Sequence, residues 1–180
     1  CARVGDAKVI SDELYILQDG YRAEDEYHRK ALEFNKSWNE KVEEIYNLGH
    51  GVPVSQGEVV GAVNEIAEPK DVVLCAAGSL PGDLHKLWRT RDPKGFHLEY
   101  GYSTMGYEIA GGLGAKMADP DREIYVMVGD GNYLMLSQEI ITSIQEGYKM
   151  IILILNNNGF ASIGGLSESV GGKRFGTEYR

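Results

Sequence analysis

The chain has 180 residues, of which 18 are Lys or Arg and 27 are Asp or Glu, giving a formal net charge of −9. This balance excludes the basic surface with which proteins usually bind nucleic acids or anionic membranes. Hydrophobic residues make up 43% and charged residues 25% of the chain, which is typical of a globular domain. The sequence has neither a long apolar run nor a signal peptide at its start. Its two cysteines, Cys1 and Cys75, are too few for a disulfide framework or a zinc site. We therefore expect a cytoplasmic protein that binds neither nucleic acid nor membrane.

Residues 1–54 are rich in charge and poor in glycine. Between residues 22 and 48, apolar side chains recur every three or four positions: Tyr27, Ala31, Phe34, Trp38, Val42 and Ile45. This spacing predicts a charged amphipathic helix, which we expect to pack against a neighbouring domain or subunit. Gly49, Gly51 and Pro53 then predict a linker. We interpret residues 1–54 as an interdomain segment.

From Ser55 onward, apolar runs alternate with helical patterns. Ser55 and Glu58 have the spacing of a capping box, which predicts that a helix starts there. Three apolar runs predict buried strands: 72–76, 124–128 and 150–155. Three segments predict helices: 84–88, 105–117 and 134–147. Buried strands that alternate with helices imply an α/β fold, a doubly wound parallel sheet with helices on both faces.

Glycine-rich polar clusters follow the three predicted strands. They are Gly78-Ser79, Gly129-Asp130-Gly131 and residues 156–159. Ligands of parallel α/β sheets bind beyond the carboxyl ends of the strands. Asp130 and Asn157 offer only oxygen ligands, which suit Mg²⁺ better than zinc, and Mg²⁺ commonly combines one or two carboxylates with substrate phosphates. We therefore expect a phosphorylated cofactor bridged by Mg²⁺.

Three other interpretations of these clusters differ in how far the sequence supports them. Asp130-Gly131 and Asn158-Gly159 are each common turn formers, and if they are only turns the chain is a non-catalytic α/β interaction module. A dinucleotide site is not supported, because the segment from Gly129 lacks the third glycine of G-x-G-x-x-G. The sequence also contains no G-x-x-x-x-G-K-[ST] phosphate loop.

Gly129-Asp130-Gly131 and Asn156-Asn157, separated by residues 132–155, resemble the thiamine diphosphate motif of the decarboxylase and acetolactate synthase superfamily. The resemblance implies that residues 55–180 are the pyrophosphate-binding domain. It also implies that Asp130, Asn157 and the carbonyl of Gly159 ligate Mg²⁺. Met105 would lie under the bent cofactor, with the backbone of Ser103 and Met105 facing the aminopyrimidine. The full set of cofactor-binding residues implied is Gly78, Ser79, Ser103, Met105, Gly129, Asp130, Gly131, Asn132, Asn157 and Gly159, of which Gly78, Ser79, Gly131 and Asn132 would contact the diphosphate.

Within that superfamily, residues 76–85, 99–111 and 175–180 are similar to the family of trihydroxycyclohexane-1,2-dione hydrolases of myo-inositol catabolism. This similarity implies that a ring C–C bond of a cyclic polyol-dione breaks with the cofactor as electron sink, and that hydrolysis releases 5-deoxyglucuronate. The alternative is a decarboxylase or acetolactate synthase acting on 2-oxo acids, which would share Asp130, Asn157 and Met105.

The same resemblance implies partners. The glutamate that activates the aminopyrimidine would belong to an N-terminal pyrimidine-binding domain and act across the interface of a homodimer or homotetramer. Because the chain starts with Cys instead of Met, we expect a C-terminal fragment that is inactive alone and holds no catalytic side chain. Four further candidates for substrate or anion contacts are His85, His97, Lys173 and Arg174. Glu99 and Glu108 are expected at a helix surface or an interface.

Overall fold

The computed structural model describes residues 4–179, so that Cys1 and Arg180 lie outside the described residues. The chain divides into two compact units, Cys1–Lys41 and Val42–Arg180. The two units are described separately below.

The first unit contains helix α1 (Ala7–Leu17) and the larger part of helix α2 (Asp25–Tyr46). Asp25 and Glu26 lie in the first turn of α2, where negative charge stabilises a helix. Three aromatic side chains of the predicted apolar stripe are exposed in this unit: Tyr27, Phe34 and Trp38. A helix therefore covers most of residues 22–48, and the domain or subunit against which it packs stays a prediction.

The second unit is built on a sheet of four parallel strands in the order β2-β1-β3-β4. The strands are β1 (Val72–Cys75), β2 (Phe96–Leu98), β3 (Ile124–Gly129) and β4 (Ile151–Leu155). Val126 on β3 pairs with Leu74 on β1 and with Ile152 on β4, so the carboxyl ends of the three strands lie at one edge of the sheet. The predicted strands are confirmed, and β2 is a short addition that no apolar run predicted.

Six helices follow α2 in the described chain. They are α3 (Gln56–Ile66), α4 (Leu80–Leu87), α5 (Tyr107–Ala118), α6 (Asp130–Met135), α7 (Glu139–Gln145) and α8 (Ala161–Ser169). Successive strand residues point to opposite faces of the sheet, and each face has its own core. Val73 and Cys75 pack with Val60 of α3 and Leu84 of α4. Leu74 packs on the other face with Ile109 of α5. The predicted α/β fold with helices on both faces is thereby confirmed.

Two local predictions have different outcomes. The capping box is confirmed, because Glu58 N donates to Ser55 Oγ over 3.2 Å and Ser55 N donates to Glu58 Oε2 over 3.0 Å. The single helix predicted over residues 134–147 is wrong, since α6 ends at Met135 and α7 begins at Glu139. Six positions in a helix correspond to a rotation of about 240°, so Leu134 and Ile140 could not share one face.

None of the described helices has the length and the apolar character needed to cross a lipid bilayer.

Candidate functional site

A cavity of about 310 Å³ opens beyond the carboxyl ends of β1, β3 and β4. This volume lies at the lower end of the range for small-molecule pockets, roughly 300–1,000 Å³. Nine of the ten residues that the resemblance implies for cofactor binding line it: Gly78, Ser79, Ser103, Met105, Gly129, Gly131, Asn132, Asn157 and Gly159. The tenth, Asp130, is buried directly behind them with 8% exposure. The fold therefore brings together residues that are up to 81 positions apart in sequence.

Asp130 joins the end of β3 to the loop that follows β4. Its Oδ2 accepts a hydrogen bond from Gly159 N over 2.8 Å, and its Oδ1 accepts one from Asn157 N over 3.4 Å. The register that pairs Gly129 with Leu155 places the two loops side by side. A buried carboxylate is costly unless donors satisfy it, and these two backbone donors fix its orientation.

The side-chain amide of Asn157 lies within hydrogen-bonding distance of one oxygen of Asp130 and of the carbonyl oxygen of Gly159. With its amide nitrogen facing inward, Asn157 donates to Asp130 Oδ1 over 3.3 Å and to the Gly159 carbonyl oxygen over 3.0 Å. With its oxygen facing inward, three oxygens meet at these distances, and a cation would offset their mutual repulsion. One carboxylate with neutral oxygens is a set that Mg²⁺ takes together with phosphates. In the described chain no three His, Cys, Asp or Glu side chains form a competing metal cluster. The residues present fit a Mg²⁺ diphosphate.

The segment 177–179 holds the loop that carries Asn157 and Gly159. Phe160 N donates to Thr177 O over 2.8 Å, and Tyr179 N donates to Asn158 O over 3.0 Å. Gly159 has a φ of 140°, and a Cβ on it would lie 2.3 Å from Thr177 O. Only glycine fits there, because the left-handed backbone and the close approach both exclude a side chain.

Tyr179 reaches from this segment toward Gly131 and Asp130. Its ring meets the ring of Phe160 edge to face at 5.8 Å, and its hydroxyl would lie 3.2 Å from a Cβ on Gly131. Partial burial, followed by the nearby Asp130 carboxylate, raises the pKa of Tyr179. Sequence reasoning noted this segment only through the resemblance and missed its contact with the site.

A second loop, between β2 and α5, carries Ser103 and Met105. The Glu99 carboxylate closes it by accepting hydrogen bonds from Thr104 N over 2.7 Å and from Tyr102 N over 3.1 Å. These two donors hold the pKa of Glu99 below its usual value. Ser103 has a φ of 52°, a left-handed conformation that is uncommon for a residue other than glycine. Glu99 therefore lies in a loop and braces it, whereas a helix surface or an interface was expected.

Glu108 is also not a surface residue, because it has 0% exposure. Its Oε1 accepts hydrogen bonds from Asn132 Nδ2 over 2.7 Å and from Ala77 N over 3.2 Å, and its Oε2 accepts one from Gly106 N over 3.0 Å. The signal that could have found it is Gly112, one helical turn later, where a Cβ would lie 2.4 Å from a methyl carbon of Val126. A helix this close to the sheet also buries the residue four positions earlier.

None of the four further candidates lines the cavity. The ring of His85 packs against Phe96 at 6.2 Å, and His97 Nε2 lies 2.8 Å from the hydroxyl of Tyr107. Arg174 Nε pairs with Glu168 Oε1 over 2.8 Å. Lys173 is exposed, and its carbonyl accepts a hydrogen bond from the Ser167 hydroxyl. The side chains of His85, His97 and Arg174 thus contact other residues of the chain, whereas the described contact of Lys173 is made by its backbone.

Known proteins share much of this chain. Residues 76–180 match the family described as "Thiamine pyrophosphate enzyme, C-terminal TPP binding domain". A 3D-(3,5/4)-trihydroxycyclohexane-1,2-dione hydrolase of Bacillus anthracis is 46% identical over 147 residues, which cover 82% of this chain and 22% of that protein. A protein of the same name from Bacillus thuringiensis is 38% identical over 205 aligned positions, which cover 98% of this chain and 31% of that protein.

The chain therefore spans between 22% and 31% of the length of these curated relatives. The family match identifies thiamine diphosphate as the cofactor. With a parallel α/β sheet whose carboxyl edge holds the predicted cofactor residues, this chain belongs to the thiamine pyrophosphate enzymes and carries their C-terminal cofactor-binding domain.

Proposed function

We propose that this chain holds Mg²⁺ and thiamine diphosphate in an enzyme that hydrolyses a C–C bond. The substrate would be trihydroxycyclohexane-1,2-dione, opened to 5-deoxyglucuronate in myo-inositol degradation. The observation that carries the proposal is the Asn157 side-chain amide between oxygens of Asp130 and Gly159, beside a cavity lined by the other implied cofactor residues. The names of the relatives supply the substrate.

The residues of the chain divide the binding work between them. Asp130, Asn157 and the Gly159 carbonyl would hold Mg²⁺. Four residues would contact the diphosphate: Gly78, Ser79, Gly131 and Asn132. Met105 would support the cofactor from below, while the Ser103 and Met105 backbone orients the aminopyrimidine. When bound, the cofactor supplies the electron sink for C–C cleavage.

The chemistry of the cavity wall supports a partner domain. Among the described residues, no side chain that lines the cavity is a carboxylate, an imidazole, a thiol or an amine, so Tyr100 is the one lining side chain of a type that ordinarily serves as a general acid or base. We propose that the activating glutamate comes from an N-terminal pyrimidine-binding domain in a homodimer or homotetramer. Residues 1–54 would then be the interdomain segment and residues 55–180 the pyrophosphate-binding domain. The 180-residue chain alone is expected to be inactive.

The metal assignment is tested by Asp130→Ala in the full-length protein. Calorimetric titration with thiamine diphosphate, with and without Mg²⁺, should show that the variant loses the Mg²⁺-dependent part of its affinity. Asp121→Ala is the matched control, because Asp121 is an exposed carboxylate outside the cavity. An Asp130→Ala variant that binds the cofactor as tightly as the control would refute the metal role.

The substrate is tested by offering the cyclic dione and pyruvate separately to the same holoenzyme. Turnover of the dione, with loss of activity after metal chelation, would support the proposal. Turnover of pyruvate alone would favour the decarboxylase or acetolactate synthase alternative. A folded protein that turns over neither compound would favour the non-catalytic module.

A further inference from the structure

Three segments of the cofactor site, two loops and the first half of helix α6, meet at one buried side chain. The loop after β1 provides Ala77, the loop before α5 provides Gly106, and the residues after β3 provide Asn132. Each donates a hydrogen bond to Glu108, over 3.2, 3.0 and 2.7 Å respectively. Among the described hydrogen bonds, those of no other residue connect it to all three segments.

The same three segments carry residues proposed to bind the cofactor. Gly78 and Ser79 directly follow Ala77, Met105 directly precedes Gly106, and Asn132 itself lines the cavity. A shift of Glu108 would therefore move the proposed contacts to the diphosphate and to the rest of the cofactor together. A carboxyl group suits this position because it offers two acceptor oxygens, and the three segments present only hydrogen-bond donors to it.

We propose that Glu108 is a positioning residue of the cofactor site, which fixes these three segments in their binding arrangement before the cofactor arrives. The inference rests on the proposed assignment of the cofactor residues. Glu108 does not touch the cavity, so it acts through Ala77, Gly106 and Asn132.

The same contacts limit what Asn132 can do. Its Nδ2 donates both to Glu108 Oε1 over 2.7 Å and to Ala77 O over 3.1 Å. An amide nitrogen has two hydrogens, so neither is left for a phosphate oxygen. If residue 132 contacts the diphosphate, its backbone N–H therefore has to be the donor, because the side-chain oxygen can only accept hydrogen bonds.

Glu108→Gln in the full-length protein removes one acceptor oxygen and leaves the size unchanged. At least one of the three donors then faces the NH₂ group of the new glutamine, so the three segments adopt their binding arrangement for a smaller fraction of the time. Apparent affinity falls with that fraction. A buried donor left unpaired corresponds to a Kd for thiamine diphosphate that is about 5- to 150-fold higher. A purely electrostatic role predicts the opposite sign, because a neutral amide repels a diphosphate less than a carboxylate does.

Lys116→Met is the matched control. Lys116 is buried on the same helix, but its Nζ donates to Arg122 O over 2.6 Å at the opposite edge of the sheet. We expect the control to lower the melting temperature without changing the Kd. An unchanged or lower Kd in Glu108→Gln, or an equal rise in both variants, would overturn the positioning role. Asp130→Ala in the same titration separates the two hypotheses. If this variant keeps its Mg²⁺-dependent affinity for thiamine diphosphate, the metal assignment is wrong, whatever Glu108→Gln does.

A measurement on the unmodified protein covers the case in which Glu108→Gln does not fold. Amide hydrogen exchange should show Ala77 N–H and Gly106 N–H protected without cofactor, because Glu108 already holds them. Rapid exchange of either amide that stops only after Mg²⁺ and thiamine diphosphate are added would overturn the inference.

Discussion

Gly159 offers the sharpest test of the loop that carries the proposed metal ligands. In Gly159→Ala the new Cβ would lie 2.3 Å from Thr177 O and 3.0 Å from Glu178 Cα. Both neighbours are backbone atoms, which cannot rotate away as the tip of a side chain would. The substitution therefore has to displace either the loop after β4 or the segment 177–179.

The magnitude follows from two contributions. A residue other than glycine at this φ costs about 1–3 kcal/mol. Displacement also weakens the hydrogen bonds from Phe160 N to Thr177 O and from Tyr179 N to Asn158 O, which are 2.8 and 3.0 Å long and contribute about 0.5–1.5 kcal/mol each. We expect the free energy of unfolding to fall by about 2–6 kcal/mol, which lowers the melting temperature.

Thermal unfolding of the full-length protein measures this loss, and Gly165→Ala is the control. Gly165 lies in α8, and a Cβ there meets nothing within 4 Å, so this alanine should leave stability unchanged or raise it by up to about 1 kcal/mol. Because Gly159 also provides a proposed metal ligand, its variant should lose Mg²⁺-dependent cofactor affinity. Equal melting temperatures for the two variants would refute the reasoning.

Three further outcomes are expected. Hydrogen bonds from the Ser55 backbone and side chain lower the pKa of Glu58. The stability contributed by the Glu58 carboxylate is therefore complete above the ordinary pKa of 4.5 and is lost as the pH falls through the lowered pKa. Glu58→Gln should reduce the melting temperature at neutral pH but not in acid. Glu99→Gln should weaken thiamine diphosphate binding in calorimetry, because the loop bearing Met105 loses its brace; unchanged affinity would contradict this. Burial raises the pKa of the Cys75 thiol, so peptide mass spectrometry should find it alkylated only in denaturant; labelling of the native protein would count against this.

The predictable part of the site consists of residues that end strands. The apolar runs before Gly129 and Asn156 are long enough to mark two buried strands, and parallel strands bring their carboxyl ends to one edge. The approximate placement of Asp130 beside the loop at Asn157 thus follows from spacing alone. The roles proposed for Asp130 and Asn157 rest on the resemblance, since either motif alone is also compatible with a turn.

The remainder depends on tertiary packing. The strand β2 has only three residues, too few for a periodic signal. Glu108 has the sequence context of a solvated helix residue, and only the close approach of Gly112 to the sheet buries it. The role of Glu99 in bracing its loop depends on the loop conformation at Ser103, which the sequence does not reveal.

If Asp130, Asn157 and Gly159 hold Mg²⁺ as proposed, the Asn157 amide has to turn its oxygen inward when the metal binds, and metal and cofactor would then bind cooperatively. With nitrogen inward, the amide satisfies Asp130 and Gly159 by itself, so a cation arriving alone must displace two hydrogen bonds. Diphosphate oxygens add the ligands that Mg²⁺ prefers and shift the balance toward the orientation with oxygen inward. Each ligand should then raise the affinity for the other by the same factor, because coupling between two binding equilibria is reciprocal. A single amide rotation would thus let the domain discriminate the Mg²⁺ complex of its cofactor from either component alone.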